Sequence, residues 1–372
     1  MQNPMISSAH PSPQSDKSRT RVVVAMSGGV DSSVAAALLV QQGYDVIGMM
    51  LRLWSETGRQ EENRCCTPDS MAQARRVAGK LGIPFYVVDA QDIFYRTVVH
   101  AFIDGYRQGV TPNPCLVCNR QIRWSFLLNH ALALGAEKMA TGHYARLACD
   151  EHGIYHLYRA RDAAKDQSYV LHVLNQDQLA HALFPLGEYT KQEVRQLAAS
   201  IGLSVAERPD SQDLCFLGND DYRNFLIRNA PDTAAPGAIQ TRAGEVIGEH
   251  RGLAFYTIGQ RKGLGIAAPH PYYVLSKDLQ RNILIVGSSD ELGQRELTAA
   301  GVNWIAGEPP VAPFRAQIKI RYKSHLEWGS VTPLPEARLH IYFDNSLRDI
   351  TAGQAAVVYQ DDLCLGGGII QP

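Results

Sequence analysis

No apolar run in this chain approaches the roughly 20 residues an α-helix needs to cross a bilayer, so no membrane partner is expected. Neither sign of charge is in surplus: 36 Lys and Arg stand against 37 Asp and Glu, a net charge of −1. Binding of nucleic acid through bulk charge is thereby excluded, and any such contact must come from a local basic face. The first 20 residues are rich in Ser, Pro and Gln and have neither an apolar h-region nor an Arg-rich pattern. A disordered tail over 1–20, not a targeting signal, is expected there. No second CxxC or HxxxH stands at zinc-finger spacing, no internal repeat occurs, and no Gly-Lys-Ser/Thr closes a Walker loop. The cysteines number seven, with one adjacent pair, Cys65 and Cys66. An odd count fits a reducing, cytoplasmic setting better than a disulfide framework.

What is present begins with a β-branched run, Val22–Met26, that enters Ser27-Gly28-Gly29-Val30-Asp31-Ser32-Ser33 and then an Ala- and Leu-rich helix pattern, Ser32–Gln42, stopped by Gly43. Further strands are predicted at Asp45–Leu53, Pro84–Val88 and Lys138–Thr141, with helices at Pro68–Leu81, Phe94–Tyr106 and Asn119–Leu134; residues 55–67 read as a loop. Repeated βα units imply a doubly wound parallel sheet, whose ligands sit at the carboxyl ends of the strands. The SGGVDSS loop, Leu51 and Thr141-Gly142-His143 all fall there. Thr190 and Glu193 form a capping box. Beyond about residue 230, Gly and Pro punctuate short β-rich runs (Leu253–Ile258, Tyr272–Leu275, Asn282–Val286, Arg315–Tyr322, Arg338–Tyr342, Ala355–Tyr359), which predicts two small barrel-like domains. The expected division is a nucleotide domain over 21–230, a central β-rich domain over 231–298 and a C-terminal barrel over 299–372.

The strand–loop–helix junction has the parts of a phosphate site. Gly28 and Gly29 let the backbone turn and approach a ligand, the helix start offers N–H donors, the serines offer hydroxyls, and Asp31 suits a Mg²⁺-bound pyrophosphate. An ordinary βα turn needs neither the Asp nor three serines. SGGVDSS resembles the loop of the ATP pyrophosphatase family, whose members split ATP between its α and β phosphates and adenylate a substrate.

A second constellation is sulfur. Thr111-Pro112-Asn113-Pro114-Cys115-Leu116-Val117-Cys118-Asn119 sets two thiols three apart at a helix start, where the dipole lowers a thiol pKa. Buried structural cysteines and a zinc half-site are the competing readings. Cys215, in Ser211-Gln212-Asp213-Leu214-Cys215-Phe216, reads as a loop thiol; Cys149 and Cys364 read as bland. A third feature is Arg315, Gln317, Lys319, Arg321 and Lys323 alternating with Ala316, Ile318, Ile320 and Tyr322. Period two predicts a strand with one basic face, either for nucleic acid or merely solvated. Gln260-Arg261-Lys262-Gly263 offers a second basic contact.

Together, SGGVDSS, TPNPCLVCN, TGHYA, KDQSY, SQDLCF, GQRKGLG and IRYK occur in an order similar to the tRNA-specific 2-thiouridylase family, from about residue 21 to the C-terminus. The resemblance implies replacement of the C2 oxygen of the wobble uridine by sulfur in tRNAs for Lys, Glu and Gln. It implies ATP binding by Ala25, Met26, Ser27, Gly28, Gly29, Val30, Asp31 and Ser32, with Leu51 and Gly142 on the adenine side. It implies that Asn113, Pro114 and Cys115 meet the target base, and that His143, Lys165, Asp166, Gln167, Arg321, Tyr322 and Gln354 contact tRNA. It implies that Cys118 is the first catalytic thiol and Cys215 the persulfide carrier, the two closing a transient disulfide. A sulfur donor, either a cysteine desulfurase or a relay protein, is implied as partner. Some family members have Asp in place of Cys115. Cys115, Cys118 and Cys215 together could ligate an iron–sulfur cluster, but the persulfide route needs only ATP and Mg²⁺ and is the one expected. The alternatives are another adenylating ligase of the superfamily, which needs no such sulfur set, and a non-enzymatic RNA-binding protein, which needs no SGGVDSS loop.

Overall fold

Val22, Val23 and Val24 are fully buried, and their β-branched side chains make β1 (Arg21–Ala25) the middle of a parallel sheet. The computed structural model describes residues 20–59, 67–208, 214–218 and 220–372. The expected tail up to residue 19, Cys65, Cys66 and Ser211-Gln212-Asp213 lie outside the described residues. β2 (Asp45–Arg52), β3 (Phe85–Asp89), β4 (Lys138–Thr141) and a short strand at Ala182–Leu183 complete the sheet, in the order β3-β2-β1-β4 and then Ala182–Leu183, all parallel. α1 (Val30–Gln41) follows β1 directly. α2 (Pro68–Leu81) starts where Thr67 Oγ1 accepts from Ser70 N at 3.0 Å and ends at Gly82, whose φ of 68° is the left-handed cap.

Two helical stretches over the carboxyl edge differ from expectation. One runs over 91–107 and contains a wide turn at Tyr95–Val99. The other runs over 114–133, starting five residues before Asn119, because Asn113 caps it and Pro114 suits its first position. Its middle, Cys118–Leu127, is a π-helix. The capping box at the helix Lys191–Ser200 forms, with Thr190 N donating to Glu193 Oε2 at 2.7 Å and Glu193 N to Thr190 Oγ1 at 3.3 Å.

In the second half, Gly237–Thr241, Val246–His250, Tyr273–Asp278 and Ile283–Gly287 make a four-stranded sheet. The strand expected at Leu253–Ile258 is instead a 3₁₀ turn, Leu253–Phe255, packed into the core. Six strands from Gln294 to Ile370 close into a barrel, because Gln294–Trp304 pairs with both Arg338–Leu347 and Leu363–Ile370. Only this second β-rich unit closes. A hairpin of the first half, Ala145–Cys149 and Tyr155–Arg159, adds to the edge of Leu363–Ile370. The cores are correspondingly shared: Val23, Trp124 and Tyr169 pack in one cluster with Val357 and Cys364, and Phe94, Phe102 and Cys118 in another with Ile239 and Val286.

Candidate active site

The loop between β1 and α1 is fixed from within. Ser27 N donates to Ser32 Oγ at 3.1 Å, and Ser33 Oγ donates to Gly29 O at 2.8 Å. Gly28 has φ 73°, and a Cβ there would lie 2.2 Å from the Ser70 carbonyl oxygen. Arg208 locks the same contact: its guanidinium donates to Gly28 O at 3.2 Å and to Ser70 Oγ at 3.0 Å. Gly29 caps α1 with no side-chain hydrogen bond. Gly142, just past β4, abuts the loop; a Cβ on it would meet Ser32 N at 2.7 Å. Leu51, near the carboxyl end of β2 on the other side of β1, is half-buried.

Asp31 is held by two groups that sequence reading missed. Lys191 Nζ donates to its two carboxylate oxygens at 2.7 and 2.8 Å, and Tyr144 Oη donates to Oδ1 at 2.8 Å. The lysine is the first residue of its helix, and its own N–H is taken by Asp162 Oδ2 at 2.9 Å. Nothing in the sequence links position 31 with positions 144 and 191 except that Tyr144 stands in TGHYA and Lys191 follows the Thr190 cap.

The thiols occupy three settings. Cys115 is exposed, and its N–H is capped by Asn113 Oδ1 at 3.1 Å, with Pro114 buried between. Cys118 is buried in an aromatic cluster. Cys215 is half-buried against that same cluster, in a turn pinned by Phe216, whose ring meets Phe102, Phe225 and Phe94 edge-on at 5.2, 5.5 and 6.1 Å. Cys118 and Cys215 therefore belong to one apolar cluster, whereas Cys115 is exposed. Among the described residues no three His, Cys, Asp or Glu side chains are gathered to hold a metal ion. Cys364 is buried, its thiol pushed far up by burial, and Cys149 is exposed, both as expected of bland positions.

The residues expected at tRNA have structural bonds of their own. Gln354 Nε2 donates to Thr111 O at 2.8 Å, Thr111 N donates to Ala352 O at 2.9 Å, and Gly353 leaves no room for a Cβ against Thr111. The barrel thus grips the segment leading into the thiol helix. Arg321 donates to Thr351 Oγ1 and lies 3.5 Å from Asp349. Tyr322 is half-buried beside Tyr169; desolvation first, then the charges of Asp166 and Cys115, raise its pKa. Asp166 is buried, accepting from Ala160 N, Ser168 N and Ser168 Oγ at 3.1, 3.2 and 3.0 Å. Gln167 brackets the Tyr144 backbone in both directions, and Lys165 beside it is half-buried. His143 is 5% exposed.

The basic strand face is corrected. The strand, Phe314–Lys319, stops before Arg321. Ala316, Ile318 and Ile320 are buried as expected, but Arg315 forms a two-pronged pair with Asp344 at 2.6 Å on each arm. Burial holds the Lys319 ammonium below its ordinary pKa, and it lies 5.7 Å from the Tyr322 ring centre. Period two correctly gives the apolar face, but it is blind to acidic partners on other strands. The second basic segment borders a cavity of about 350 Å³ lined by Arg261, Lys262, His270 and Tyr272.

Comparison with known proteins covers the described chain almost end to end. The tRNA methyl transferase HUP domain model matches residues 20–219, the tRNA methyl transferase PRC-barrel domain 223–288, and the aminomethyltransferase beta-barrel domain 294–370. The tRNA-specific 2-thiouridylase of Moorella thermoacetica is 49% identical, over 94% of this chain and 99% of its own. That of Magnetococcus marinus is 48% identical, over 94% and 98%. Among solved structures, a U34-tRNA thiolase from Methanococcus maripaludis with its [4Fe-4S] cluster is 20% identical with a TM-score of 0.35, over 58% of this chain and 68% of its own, a likeness too slight to bear on chemistry.

Proposed function

The chain belongs to the tRNA-specific 2-thiouridylase family, and from that premise we propose that it adenylates the C2 oxygen of wobble uridine U34, in tRNAs for Lys, Glu and Gln, and replaces that oxygen with sulfur carried on Cys215. It is an ATP-using tRNA sulfurtransferase. The observation that carries the mechanism is the presence of the glycine–serine loop at the carboxyl edge together with two thiols, Cys118 and Cys215, packed in one apolar cluster.

A carbonyl oxygen is a very poor leaving group; adenylation makes AMP the leaving group instead. The N–H groups at the start of α1, with Ser27 and Ser32, receive the phosphates. Asp31 is the carboxylate that would hold Mg²⁺, which when bound neutralises the pyrophosphate oxygens. Lys191, on Asp31, keeps a cation beside them. The terminal sulfur of a Cys215 persulfide is the sulfur that is transferred. The Cys118 thiolate attacks the inner sulfur, the S–S bond breaks, and the released hydrosulfide attacks C2 while AMP leaves with the C–O electron pair. Cys118 and Cys215 remain as a disulfide, which an external dithiol reduces. Buried Cys118 and half-buried Cys215, both against aromatics, limit the water that reaches the persulfide. In this reading Asn113, Pro114 and Cys115 meet the base, which a single-stranded anticodon loop presents cheaply. The donor is a cysteine desulfurase or a relay protein.

Purified protein given ATP, Mg²⁺, unmodified tRNA and a persulfide donor should release pyrophosphate and yield 2-thiouridine by nucleoside mass spectrometry. Asp31→Ala should keep tRNA affinity and lose tRNA-dependent pyrophosphate release; release at the wild-type rate would overturn the assignment of the loop.

A further inference from the structure

The carboxyl end of β4 brings a cation from the thiol helix to the nucleotide loop. Gly142 sits so close to the first turn of α1 that a Cβ on it would lie 2.7 Å from Ser32 N and 2.8 Å from the Asp31 carbonyl carbon. The next side chain, His143, is buried and bonded at both nitrogens: Nδ1 lies 2.8 Å from Thr141 Oγ1, and Nε2 lies 3.0 Å from Arg123 Nη1. A guanidinium only donates, so Nε2 carries the lone pair and Nδ1–H donates to the threonine. The ring is uncharged in this arrangement, and burial together with the Arg123 charge pushes its pKa well below the ordinary value. An imidazole so placed orients the guanidinium through one arm.

Arg123 starts from the same helix as Cys118. The two side chains leave in different directions: Cys118 packs with Phe94 and Phe102, whereas Arg123 reaches His143, whose ring lies beside Phe184. Arg123 therefore ties the helix that carries the sulfur chemistry to the nucleotide loop through His143 and Gly142.

We propose that Arg123 is a further catalytic residue of adenylation, donating to the α-phosphate as it passes from pyrophosphate to the uridine oxygen, with His143 as its positioning residue. The assignment rests on the reading given under Proposed function. In that step the uridine C2 oxygen attacks the α-phosphorus. The bond to the β-phosphate breaks, pyrophosphate takes the electron pair, and the N3 proton leaves to water. Charge gathers on the non-bridging α-oxygens, which the guanidinium fork matches. The same contact then serves the AMP leaving group when sulfur attacks C2.

The test uses the full chain with ATP, Mg²⁺ and unmodified tRNA. Pyrophosphate release is measured for turnover, and filter binding gives tRNA affinity. Arg123→Ala should lower kcat by about 10²–10³, the range for loss of a donor to developing charge, while KM for ATP and tRNA affinity change little. Guanidinium ion added to the buffer should restore part of that turnover in Arg123→Ala and none in Asp31→Ala. Arg123→Lys keeps the charge without the fork and should lose at least tenfold; it carries the test if the alanine variant misfolds. His143→Gln keeps an acceptor and should fall less than His143→Ala. Unchanged kcat in Arg123→Ala and Arg123→Lys, or a loss confined to tRNA affinity, overturns the assignment while leaving the adenylation reading intact. A wild-type protein that releases no pyrophosphate with tRNA overturns both.

Discussion

At Asp31, a carboxylate that is a third exposed is met by an ammonium only 11% exposed and by a phenol. Lys191→Met removes the ammonium and keeps the stem. It should cost about 1–3 kcal/mol of stability, the range for a partly buried charge losing its partner, and lower pyrophosphate release more than tRNA affinity. Thermal melting and steady-state kinetics with varied ATP check both. The thiols predict an ordered pair of failures. Cys215→Ser should accept no sulfur from a persulfide donor; Cys118→Ser should load Cys215 and yet make no 2-thiouridine; both should still release pyrophosphate. Thiolation from sulfide by a reconstituted iron-bearing protein, and from nothing else, would overturn this order. The chemistry-bearing residue types were legible in the sequence because each group is locally compact: Gly28, Gly29 and Asp31 stand in one short loop, and Cys115 and Cys118 three apart in one motif. Tyr144, Lys191, Arg123 and Arg208 were not, because their roles arise only when β4 and the helix at Lys191–Ser200 come to the edge of β1.

Among the elements, the turn bearing Cys215 has little backbone regularity and depends on one aromatic anchor. Phe216 is 6% exposed among Phe94, Phe102 and Phe225. Phe216→Ala should free the turn and cut transfer of the Cys215 sulfur at least tenfold, whereas pyrophosphate release stays within twofold; a parallel loss of both would show that the ring supports the whole domain. The helix and strand periods of the first half are legible to within a few residues, since α2 matches its predicted span at both ends. The C-terminal strands are harder to read. Period two holds for Ala316, Ile318 and Ile320, but Ile320 and Arg321 have already left the ladder. The pairing of Arg315 with Asp344 spans two strands and leaves no trace in either. A consequence follows for tRNA: Arg315→Ala should leave affinity and its salt dependence nearly unchanged, because that guanidinium already has its carboxylate.

At the scale of the whole molecule, the barrel is part of the active site's support, since it grips Thr111 through Gln354 and shares a core with β1. A composition change near residue 230 marks the start of β-rich chain but carries no sign of this sharing, which joins segments more than 180 residues apart. His172 lies at that joint. It is 2% exposed, its Nδ1–H donates to Tyr169 O at 2.7 Å, its own carbonyl accepts from Asn303, and a Cβ on barrel residue Gly367 would touch its ring. Burial holds its pKa down to about 4, against 6.5 ordinarily. Between these values the unfolded chain binds a proton that the folded one refuses, so stability rises with pH through the window and is lost as pH falls from about 6.5 to about 4. At about 1.4 kcal/mol per pH decade over about 2.5 decades, the loss is about 3–4 kcal/mol. His143, also held down by burial, adds to it in the same sense. His172→Asn keeps a donor for Tyr169 O and cannot charge. It should be less stable than the wild type near pH 7.5, where the imidazole packs better, and the difference in melting temperature should shrink or reverse by pH 4.5. Parallel acid curves for the two proteins would assign the loss to other groups and leave the joint indifferent to protonation of this histidine.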